Sequence, residues 1–462
     1  MNINRTLLDR FTIQGFWTID GTHKAQGLLE CIQGKATLTL IEPLLKETDD
    51  FFSISRENIP RVWGFMQTGE QVLLMNCTYA KGVSHIPGCT EYKCRAESML
   101  MSIGYSKQIE SHCDLRTSLS EIEIRNIEFQ LSWLHVWIGR KAIVSSSHPN
   151  EIKSISLNLA DYNTETFAFG DFFIITTEKR VQQKYGSDLF AQIITLNEID
   201  VICIEKREGN LVLPDALNVI KKISTLIELL VDESMPFVSV NFKLPISQHV
   251  VNETSYIEAR YFMPQISTNC VKPHVNCITL NKLKDRFQGV LNEWYANYDK
   301  LLLVVNDYLG VKRMERYLET SLLLSIRSLE ILGRDFLFTN TKTDQDCIEV
   351  AKRTKQLNLR PNLKALLSSL PTTYQKKYIE PLVINTLGSE LTIDKFVDRL
   401  ADTRNFFAHN DSSKPYTKRF TDIRELSEVT ISLRCFIKYF LFRILTIPEI
   451  LIDENLLSIF HI

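Results

Sequence analysis

The chain has 462 residues, with 53 lysines and arginines against 55 aspartates and glutamates, so its formal net charge is −2. Hydrophobic residues make up 44% and charged residues 23%, which is ordinary for folded globular proteins and excludes a largely disordered, collagen-like or coiled-coil chain. The near balance of charge also excludes a strong overall positive field. Any contact with nucleic acid must therefore come from a local basic patch.

The cysteines and apolar segments favour a cytoplasmic protein. The ten cysteines are scattered and form no CxxC pair, as expected for a reduced compartment. The N-terminal sequence MNINRTLLDRFTIQGFW lacks the basic and then apolar order of a signal peptide. Basic residues also interrupt the late apolar segment LRCFIKYFLFRIL, which falls short of the roughly 20 apolar residues of a membrane span. We expect no membrane anchor.

The front of the chain is predicted to be rich in β-strands. From Thr12 to about Leu213, short runs of alternating apolar and polar residues, such as KATLTLI, QVLLMN, FFIITT, AQIITL and VICIEK, lie between Gly, Asn and Asp turn signals. Pro214 then opens PDALNVIKKISTLIELLVDE, whose apolar residues recur at helical spacing, and the strand-like MPFVSVNFKL follows. The pattern predicts sandwich-like sheets plus one helix.

After Pro273 the apolar period becomes helical. Four segments show it: NKLKDRFQGVLNEWYANYDKLLLVVNDYLG, RMERYLETSLLLSIRSLEILGRDFL, IDKFVDRLADTRNFFAHN and RELSEVTISLRCFIKYFLFRIL. They predict an all-α bundle. The expected fold class is α+β multidomain, with a β-rich region over 1–270 and a helical domain over 275–462. The β-rich region can consist of two subdomains that divide near 145–150.

A polar cluster, DTRNFFAHND, ends the third helical segment. The helix is predicted to run through Arg404, and Asp398, Asp402, Asn405 and His409 form a polar stripe along it because they lie three or four residues apart. Arg404 and His409 are five residues apart. They converge only where the helix ends near the histidine or where a second chain brings its own copy.

A stripe of this kind is commonly only a solvated helix face. Arginine, however, presents a permanently charged fork suited to a phosphodiester, and histidine exchanges protons near neutral pH. Together they match what RNA cleavage without a metal requires: a base for the ribose 2′-hydroxyl, an acid for the leaving 5′-oxygen and positive charge on the phosphorane.

The hexapeptide RNFFAH, Arg404–His409, resembles the Arg-x4-His signature of HEPN domains in its Arg-Asn-x-x-x-His form. The preceding segment SIRSLEILGR places Glu330 where such domains often carry an acidic residue. The front half, through QGFWTIDG, WGFMQTGEQVLLMNC and LSWLHVWIG, resembles the N-terminal region of ApeA-like anti-phage proteins. The resemblance implies a β-rich sensor fused to an all-α HEPN bundle, an endoribonuclease that cleaves host or phage RNA, often tRNA, and causes abortive infection.

The resemblance also implies roles for single residues. His409 is expected to act as general acid and base, Arg404 to bind phosphate and stabilise transition-state charge, and Asn405 to fix the imidazole or a phosphate oxygen. Glu330 is expected to orient Arg404. HEPN domains usually dimerise with their Arg and His copies facing each other, so a homo-oligomer is expected.

For Glu330 a structural alternative stays open. Arg327 and Arg334 lie three and four residues away on the same predicted helix, and either can form a salt bridge with it.

A path for RNA is indicated by a local excess of positive charge. Between Ala351 and Lys377 the chain has seven basic residues and no acidic ones. The residues predicted to bind RNA from this stretch and from the segment just past the motif are Lys352, Arg353, Lys355, Arg360, Lys364, Lys414, Lys418 and Arg419. A solvated surface is the alternative.

Other chemistries have weaker support. Cys270, His274 and Cys277 lack the paired spacings and fourth ligand of structural zinc, as does the looser group from His85 to Cys113, so no metal is expected. GxxxxGK[ST], GxGxxG, GxSxG and HExxH do not occur, and no cofactor is expected. The alternatives are a non-catalytic protein that binds RNA or oligomerises and, with less support, a carbohydrate-active β domain. A phage-encoded trigger that acts on the front region is a hypothesis by family analogy.

Overall fold

The structure is a computed structural model. It describes residues 6–44, 57–67, 69–83, 90–102, 122–139, 143–148, 151–157, 164–170, 173–188, 191–245, 256–264, 272–274, 276–313, 317–340, 359–382, 393–409 and 419–457.

Two compact units make up the chain. The first comprises Met1–Ser224 and Met235–Val271, and the second comprises Thr225–Ser234 and Lys272–Ile462. Strands dominate the first unit and helices the second, which confirms the predicted order of a β-rich region followed by a helical one. The predicted domains 1–270 and 275–462, and the split near 145–150, stay predictions.

Strands fill most of the described part of the first unit, and along them buried and exposed side chains alternate as on a half-buried sheet. They are β1 (Arg10–Thr18), β2 (Ala25–Ile32), β3 (Lys35–Leu40), β4 (Glu57–Met66), β5 (Gln71–Val83), β6 (Thr90–Ser102), β7 (Glu123–Ile124), β8 (Asn126–Leu131), β9 (Ile143–His148), β10 (Glu151–Leu157), β11 (Glu165–Phe169), β12 (Phe173–Asp188), β13 (Ala191–Lys206), β14 (Leu211–Val212), β15 (Phe237–Pro245) and β16 (Tyr256–Phe262).

Twelve of these strands form one continuous antiparallel sheet, in the order β11-β12-β13-β8-β15-β16-β6-β3-β2-β1-β4-β5. Two small sheets, β9 with β10 and β7 with β14, are separate from it. The strands that the alternation predicted as sandwich-like sheets therefore belong mainly to this single sheet.

Strands β1 to β6 close into a ring. Strand β5 pairs with β4 on one side and, from Val72 opposite Met101 to Val83 opposite Thr90, with β6 on the other. Closure therefore pairs both edges of β5 from Val72 to Tyr79. The ring encloses an apolar core that includes Trp17, whose indole lies so close to Gly64 that a Cβ there would come within 2.4 Å of it.

A charged cluster crosses the outer strands of the same sheet and centres on Glu128 of β8, which is 6% exposed. Its Oε2 lies 2.9 Å from Arg180 Nη1 on β12, and its Oε1 lies 2.8 Å from Lys243 Nζ on β15. Burial alone would raise the pKa of Glu128, but hydrogen bonds from the two cations outweigh it, and the pKa lies below its usual value.

Two helices accompany the strands: α1 (Leu134–Ile138) and α2 (Leu213–Val231). The second is the helix predicted after VICIEK. Pro214 lies in its first turn. Proline is tolerated there because backbone N–H groups of the first turn have no partner within the helix, so the N–H that proline lacks is not missed. Of the predicted apolar positions Leu217, Ile220, Ile223, Ile227 and Leu230, the first is half-buried and the other four are buried.

Helices make up the described part of the second unit after Pro273. They are α3 (Leu280–Leu283), a 3₁₀ turn (Lys284–Arg286), α4 (Phe287–Arg313), α5 (Leu318–Asn340), α6 (Leu359–Ser368), α7 (Thr372–Tyr378), α8 (Ile393–His409), α9 (Ile423–Ile444) and α10 (Glu449–Leu457). None of the helices within the described ranges is long and apolar enough to cross a lipid bilayer.

The four predicted helical segments correspond to α4, α5, α8 and α9. The first of them was too long. The backbone at Lys284 has a positive φ of 44°, and this non-helical conformation separates the short α3 from α4. Thr279 caps α3, since its side chain accepts a hydrogen bond from the Lys282 amide at 3.2 Å.

Helix α9 lies at the centre of the helical unit, in contact with α4, α5 and α10. One of its buried positions is charged: Lys438 Nζ lies 2.7 Å from Asp232 Oδ2, and the Tyr308 hydroxyl donates to Asp232 Oδ1 at 2.7 Å. We call these three residues the buried network. Burial, followed by the Asp232 charge, raises the pKa of Tyr308 well above its usual value, so the phenol keeps its proton and remains a donor.

Candidate functional site

Helix α8 carries the RNFFAH hexapeptide at its C-terminal end. The sequence predicts a helix through Arg404, and the structure extends it to His409. The helical spacing predicts an apolar stripe of Phe396, Val397, Leu400 and Phe407. The first three are buried, and Phe407 is half-buried. The apolar stripe therefore sets the rotation of α8, and with it the directions in which the motif residues project.

Arg404 and His409 leave the helix in different directions. Arg404 is half-buried, and its Nη1 donates to Asn405 Oδ1 at 3.4 Å, while His409 is exposed. Five residues of α-helix separate two side chains by about 7.5 Å along the axis and about 140° around it. The helix ends at His409, and the convergence of the guanidinium and the imidazole on one phosphate, within one copy of α8 or across two, stays a prediction.

The first half of the predicted polar stripe binds α6. Arg360 Nε lies 2.8 Å from Asp398 Oδ1, Arg360 Nη2 lies 2.7 Å from Asp402 Oδ1, and Lys364 Nζ lies 2.8 Å from Asp394 Oδ1. We call these five residues the α6–α8 ladder. The three aspartates of α8 partly neutralise the positive charge that Arg360 and Lys364 give to α6. The Arg360 and Lys364 side chains are still 46% and 50% exposed, and RNA contact by them stays a prediction.

Arg419 occupies a different environment from the one its sequence context indicated. It is buried, and its guanidinium lies 4.2 Å from the centroid of the Phe406 ring inside the hexapeptide. A solvated basic surface therefore does not describe this residue, whose contact with RNA also stays a prediction. The other residues predicted to bind RNA, Lys352, Arg353, Lys355, Lys414 and Lys418, lie outside the described residues.

Glu330 lies on α5 and is half-buried. Among the described residues it forms no ion pair with either arginine of its own helix: Arg327 pairs with Asp307 of α4 at 2.5 Å, and Arg334 pairs with Asp335 at 2.7 Å. The hydrogen bond from Arg334 to Asp335 raises the pKa of Arg334, and the charge of Glu330 adds to this effect. No hydrogen bond joins Glu330 to Arg404 within the described ranges, and the orienting role stays a prediction.

The sequence did not single out the residues that hold α8 to the chain segment after the motif. Arg399 Nη2 lies 2.9 Å from Glu425 Oε2 in the first turn of α9 and donates to the Arg419 carbonyl at 3.2 Å. Thr403 Oγ1 accepts a hydrogen bond from the Phe420 amide at 2.9 Å. Arg399, Thr403 and Phe406 lie four and three residues apart on one helix face, a spacing visible in the sequence, but their partners lie 13 to 26 positions away and leave no local signal.

The cysteine and histidine groups have ordinary local environments where they are described. Cys277 is buried, and His274 Nδ1 accepts a hydrogen bond from the Asn276 amide at 3.2 Å. Cys270, His85, Cys89, His112 and Cys113 lie outside the described residues. Within the ranges that the structure describes, no group of three or more His, Cys, Asp or Glu residues is placed to hold a metal ion.

Two family models match the chain. The model described as ApeA N-terminal domain 1 matches residues 12–294, which is more than half of the chain. The chain belongs to the ApeA family. The model described as Apea-like HEPN matches residues 323–449. The curated proteins and the solved structures compared with the chain contain no match.

The two ApeA matches divide the chain within the helical unit. The match to the N-terminal domain covers the twelve-stranded sheet from Thr12 of β1 onward and ends at Trp294 in α4. The HEPN match begins in α5 and ends at the first residue of α10. The HEPN match thus contains Glu330, the α6–α8 ladder and Arg404–His409. Membership of the ApeA-like HEPN family suggests an anti-phage defence nuclease.

Proposed function

We propose that this chain is an anti-phage endoribonuclease that cleaves RNA without a metal ion, with His409 and Arg404 in the reacting site. The observation that supports it most directly is the placement of RNFFAH at the end of α8. There the HEPN match, an exposed imidazole and a half-buried guanidinium with an asparagine partner coincide.

The chemistry assigned to these groups is transesterification within the RNA. An imidazole removes the proton of a ribose 2′-hydroxyl, the 2′-oxygen attacks the adjacent phosphorus, and the bond to the 5′-oxygen breaks as that oxygen receives a proton. The products carry a 2′,3′-cyclic phosphate and a 5′-hydroxyl. Arg404 stabilises the extra negative charge on the phosphorane, for which a planar guanidinium is well suited.

The reaction favours a site shared between two copies of the chain. A base and an acid are needed on opposite sides of the phosphorus, and one imidazole cannot serve as both in a single step. The divergence of about 140° expected between positions 404 and 409 of an ideal helix favours the same arrangement. A second copy of α8 supplies the second imidazole and brings one chain's guanidinium to the other chain's histidine.

RNA is proposed to reach this site along the N-terminal end of α6. Arg360 is anchored to Asp402, one turn of α8 before Asn405, and its half-exposed guanidinium retains donors for a phosphate. Lys364 lies one turn further along α6, and Lys352, Arg353 and Lys355 precede the helix in the sequence. tRNA as the target and a phage-encoded trigger complete the proposal and rest on the family resemblance alone.

The direct test compares wild type with His409→Ala and Arg404→Ala. The full-length proteins are induced in cells, with and without phage infection, and RNA ends are mapped. In cells, wild type should slow growth and leave RNA ends with 2′,3′-cyclic phosphates. The purified wild-type protein should give the same ends with and without EDTA, whereas both variants should lose cleavage. His274→Ala is the matched control, because His274 is also exposed and lies in the same unit. Equal cleavage by wild type and His409→Ala would disprove the assignment.

A non-catalytic RNA-binding or oligomerising protein is the second candidate. The charge compensation in the α6–α8 ladder and the divergence of Arg404 from His409 are compatible with a helical unit that only binds. Tight binding of total tRNA with every strand left intact, under conditions in which infected cells show the phenotype, would favour this candidate over the nuclease.

A further inference from the structure

The last turn of α8 is held by the chain segment that returns after residue 418. Arg419, the first described residue after His409, contacts the same helix. The contacting residues on α8 are Arg399, Thr403 and Phe406, and those on the returning segment and the start of α9 are Arg419, Phe420 and Glu425. We call these six residues the return clamp.

Thr403 is the central hydrogen-bonding group of the clamp. It is fully buried and immediately precedes Arg404. Its Oγ1 donates to the Arg399 carbonyl at 2.7 Å and accepts from the Phe420 amide at 2.9 Å. One hydroxyl thus satisfies a backbone amide of the returning chain and ties it to the helix. Loss of that hydroxyl would leave the amide of Phe420 buried without this acceptor.

Arg399 secures the same segment from one turn earlier. Its guanidinium lies 4.1 Å from the centroid of the Phe420 ring, and Nη2 donates to both carboxylate oxygens of Glu425 at 3.1 and 2.9 Å. The N-terminus of α9 is itself well formed, since Asp422 Oδ1 accepts from the Arg424 and Glu425 amides. Helix α8 is therefore attached to a regular helix rather than only to a loop.

Arg419 extends the clamp into the hexapeptide. Its guanidinium covers the Phe406 ring, and Phe406 lies between Asn405 and the exposed Ala408–His409 end. A helix end lacks intrahelical partners for its last carbonyls and frays readily. A buried cation on Phe406 opposes that fraying in the turn that carries Asn405 and His409.

From these contacts we propose that Thr403 and Arg419 are positioning residues for the RNA-cleaving site. In this proposal both residues act on the helix end and not through contact with RNA, which for Arg419 differs from the role predicted from the sequence. They keep the last turn of α8 helical, which fixes the distance between Arg404 and His409. A second copy of α8 therefore meets both residues in the same geometry each time. The inference rests on the proposed function for its catalytic consequence, but the ordering of the helix end can be measured without it.

The catalytic consequence separates positioning from RNA binding. Thr403→Val keeps the shape of the side chain and removes its hydroxyl. We expect kcat to fall by up to about 100-fold with KM unchanged, because a small misplacement of reacting groups lowers the rate by that order. Thr403→Ser should restore most of kcat. Arg419→Lys keeps the charge but loses the planar stacking on Phe406, so it should also lower kcat and leave KM and its salt dependence unchanged. A raised KM with unchanged kcat in Arg419→Lys would instead identify a phosphate contact.

The structural consequence is tested by amide hydrogen exchange on the full-length chain. In Thr403→Val, amides of residues 405–409 should exchange roughly five- to tenfold faster, as expected when one buried hydrogen bond is lost. In Arg419→Lys the same amides should also exchange faster, because the planar contact with the Phe406 ring is lost. Thr430→Val is the matched control, because Thr430 is buried in α9 and donates to the Leu426 carbonyl in the same way. Residues 405–409 should exchange at the wild-type rate in that control.

The outcomes are distinguishable. Unchanged exchange at residues 405–409 in both clamp variants overturns the proposal, as does loss of kcat only in proportion to unfolded protein. Should Thr403→Val fail to fold, Arg419→Lys and Thr403→Ser carry the same comparison. If amides 405–409 exchange faster in the clamp variants while His409→Ala cleaves RNA like wild type, the clamp still orders the helix end. The assignment of His409 to a nuclease site is then wrong.

Discussion

The buried network and the α6–α8 ladder are built from the same groups in different surroundings. Lys438 Nζ lies 2.7 Å from Asp232 Oδ2 with no exposed side-chain surface, whereas Arg360 and Lys364 reach their carboxylates at 2.7 to 2.8 Å while about half exposed. The distances are nearly equal, so the difference lies in solvation. A charge left alone in the buried network cannot be hydrated, but water and salt screen each member of the ladder.

The largest effect is expected from breaking the buried network. Asp232→Ala removes an acceptor of both Lys438 and Tyr308 and should lower the free energy of unfolding by about 3–5 kcal/mol, because a buried ammonium then loses its carboxylate. Urea denaturation followed through the helical circular-dichroism signal measures it. Asp398→Ala in the ladder is the matched control and should lose less than about 1 kcal/mol. Similar losses in the two variants would contradict the comparison.

An intermediate effect is expected from the Glu128 cluster, where a buried carboxylate meets two partly exposed cations. Glu128→Gln should lose about 1.5–3 kcal/mol at neutral pH, the usual contribution of hydrogen bonds to a charged group. The pKa of Glu128 is lower in the folded protein than in the unfolded chain. The stabilisation is therefore complete above the unfolded pKa and is lost as the pH falls through the folded pKa.

The measurement for this cluster is urea denaturation of wild type and Glu128→Gln between neutral and acidic pH. The difference between them should be widest near neutral pH and should narrow below about pH 4. A difference that stays constant into acid would show that the ionised carboxylate is not its source.

The smallest stability effect is expected from the ladder itself, although its effect on RNA is separable. Arg360→Ala should change the free energy of unfolding by about 0.2–1 kcal/mol. If Arg360 contacts a phosphate, the slope of log affinity against log salt for single-stranded RNA should fall by about 0.7. Arg443→Ala is the matched control, since Arg443 forms a similarly exposed pair with Glu449 at 2.8 Å. Equal slopes in both variants would remove Arg360 from the RNA path.

Local patterns predicted the elements well. The spacing of Phe396, Val397 and Leu400 predicted the buried face of α8, and the alternation in segments such as KATLTLI predicted strands. The errors occurred where one backbone conformation interrupts a good pattern. The positive φ of Lys284 divides what apolar spacing alone indicates as one helix, because that spacing contains no information about φ.

The site was predicted less completely than the elements. RNFFAH was identified from its own residues, yet the clamp that holds it was missed and Arg419 was placed on a basic surface. The contacts that decide these points join residues far apart in the chain: 17 positions separate Thr403 from Phe420, and 42 separate Arg360 from Asp402. No periodicity within a helix reports such pairs.

The sequence by itself determined that a β-rich region precedes a helical one and that an Arg-x4-His hexapeptide ends a late helix. Both follow from neighbours two to five residues apart, whose relative positions the backbone geometry sets. Only the tertiary structure decided which charges are solvated, which are paired and which are buried on aromatic rings. Those outcomes depend on the distance to remote partners and on the exclusion of water, and these arise only when the helices pack.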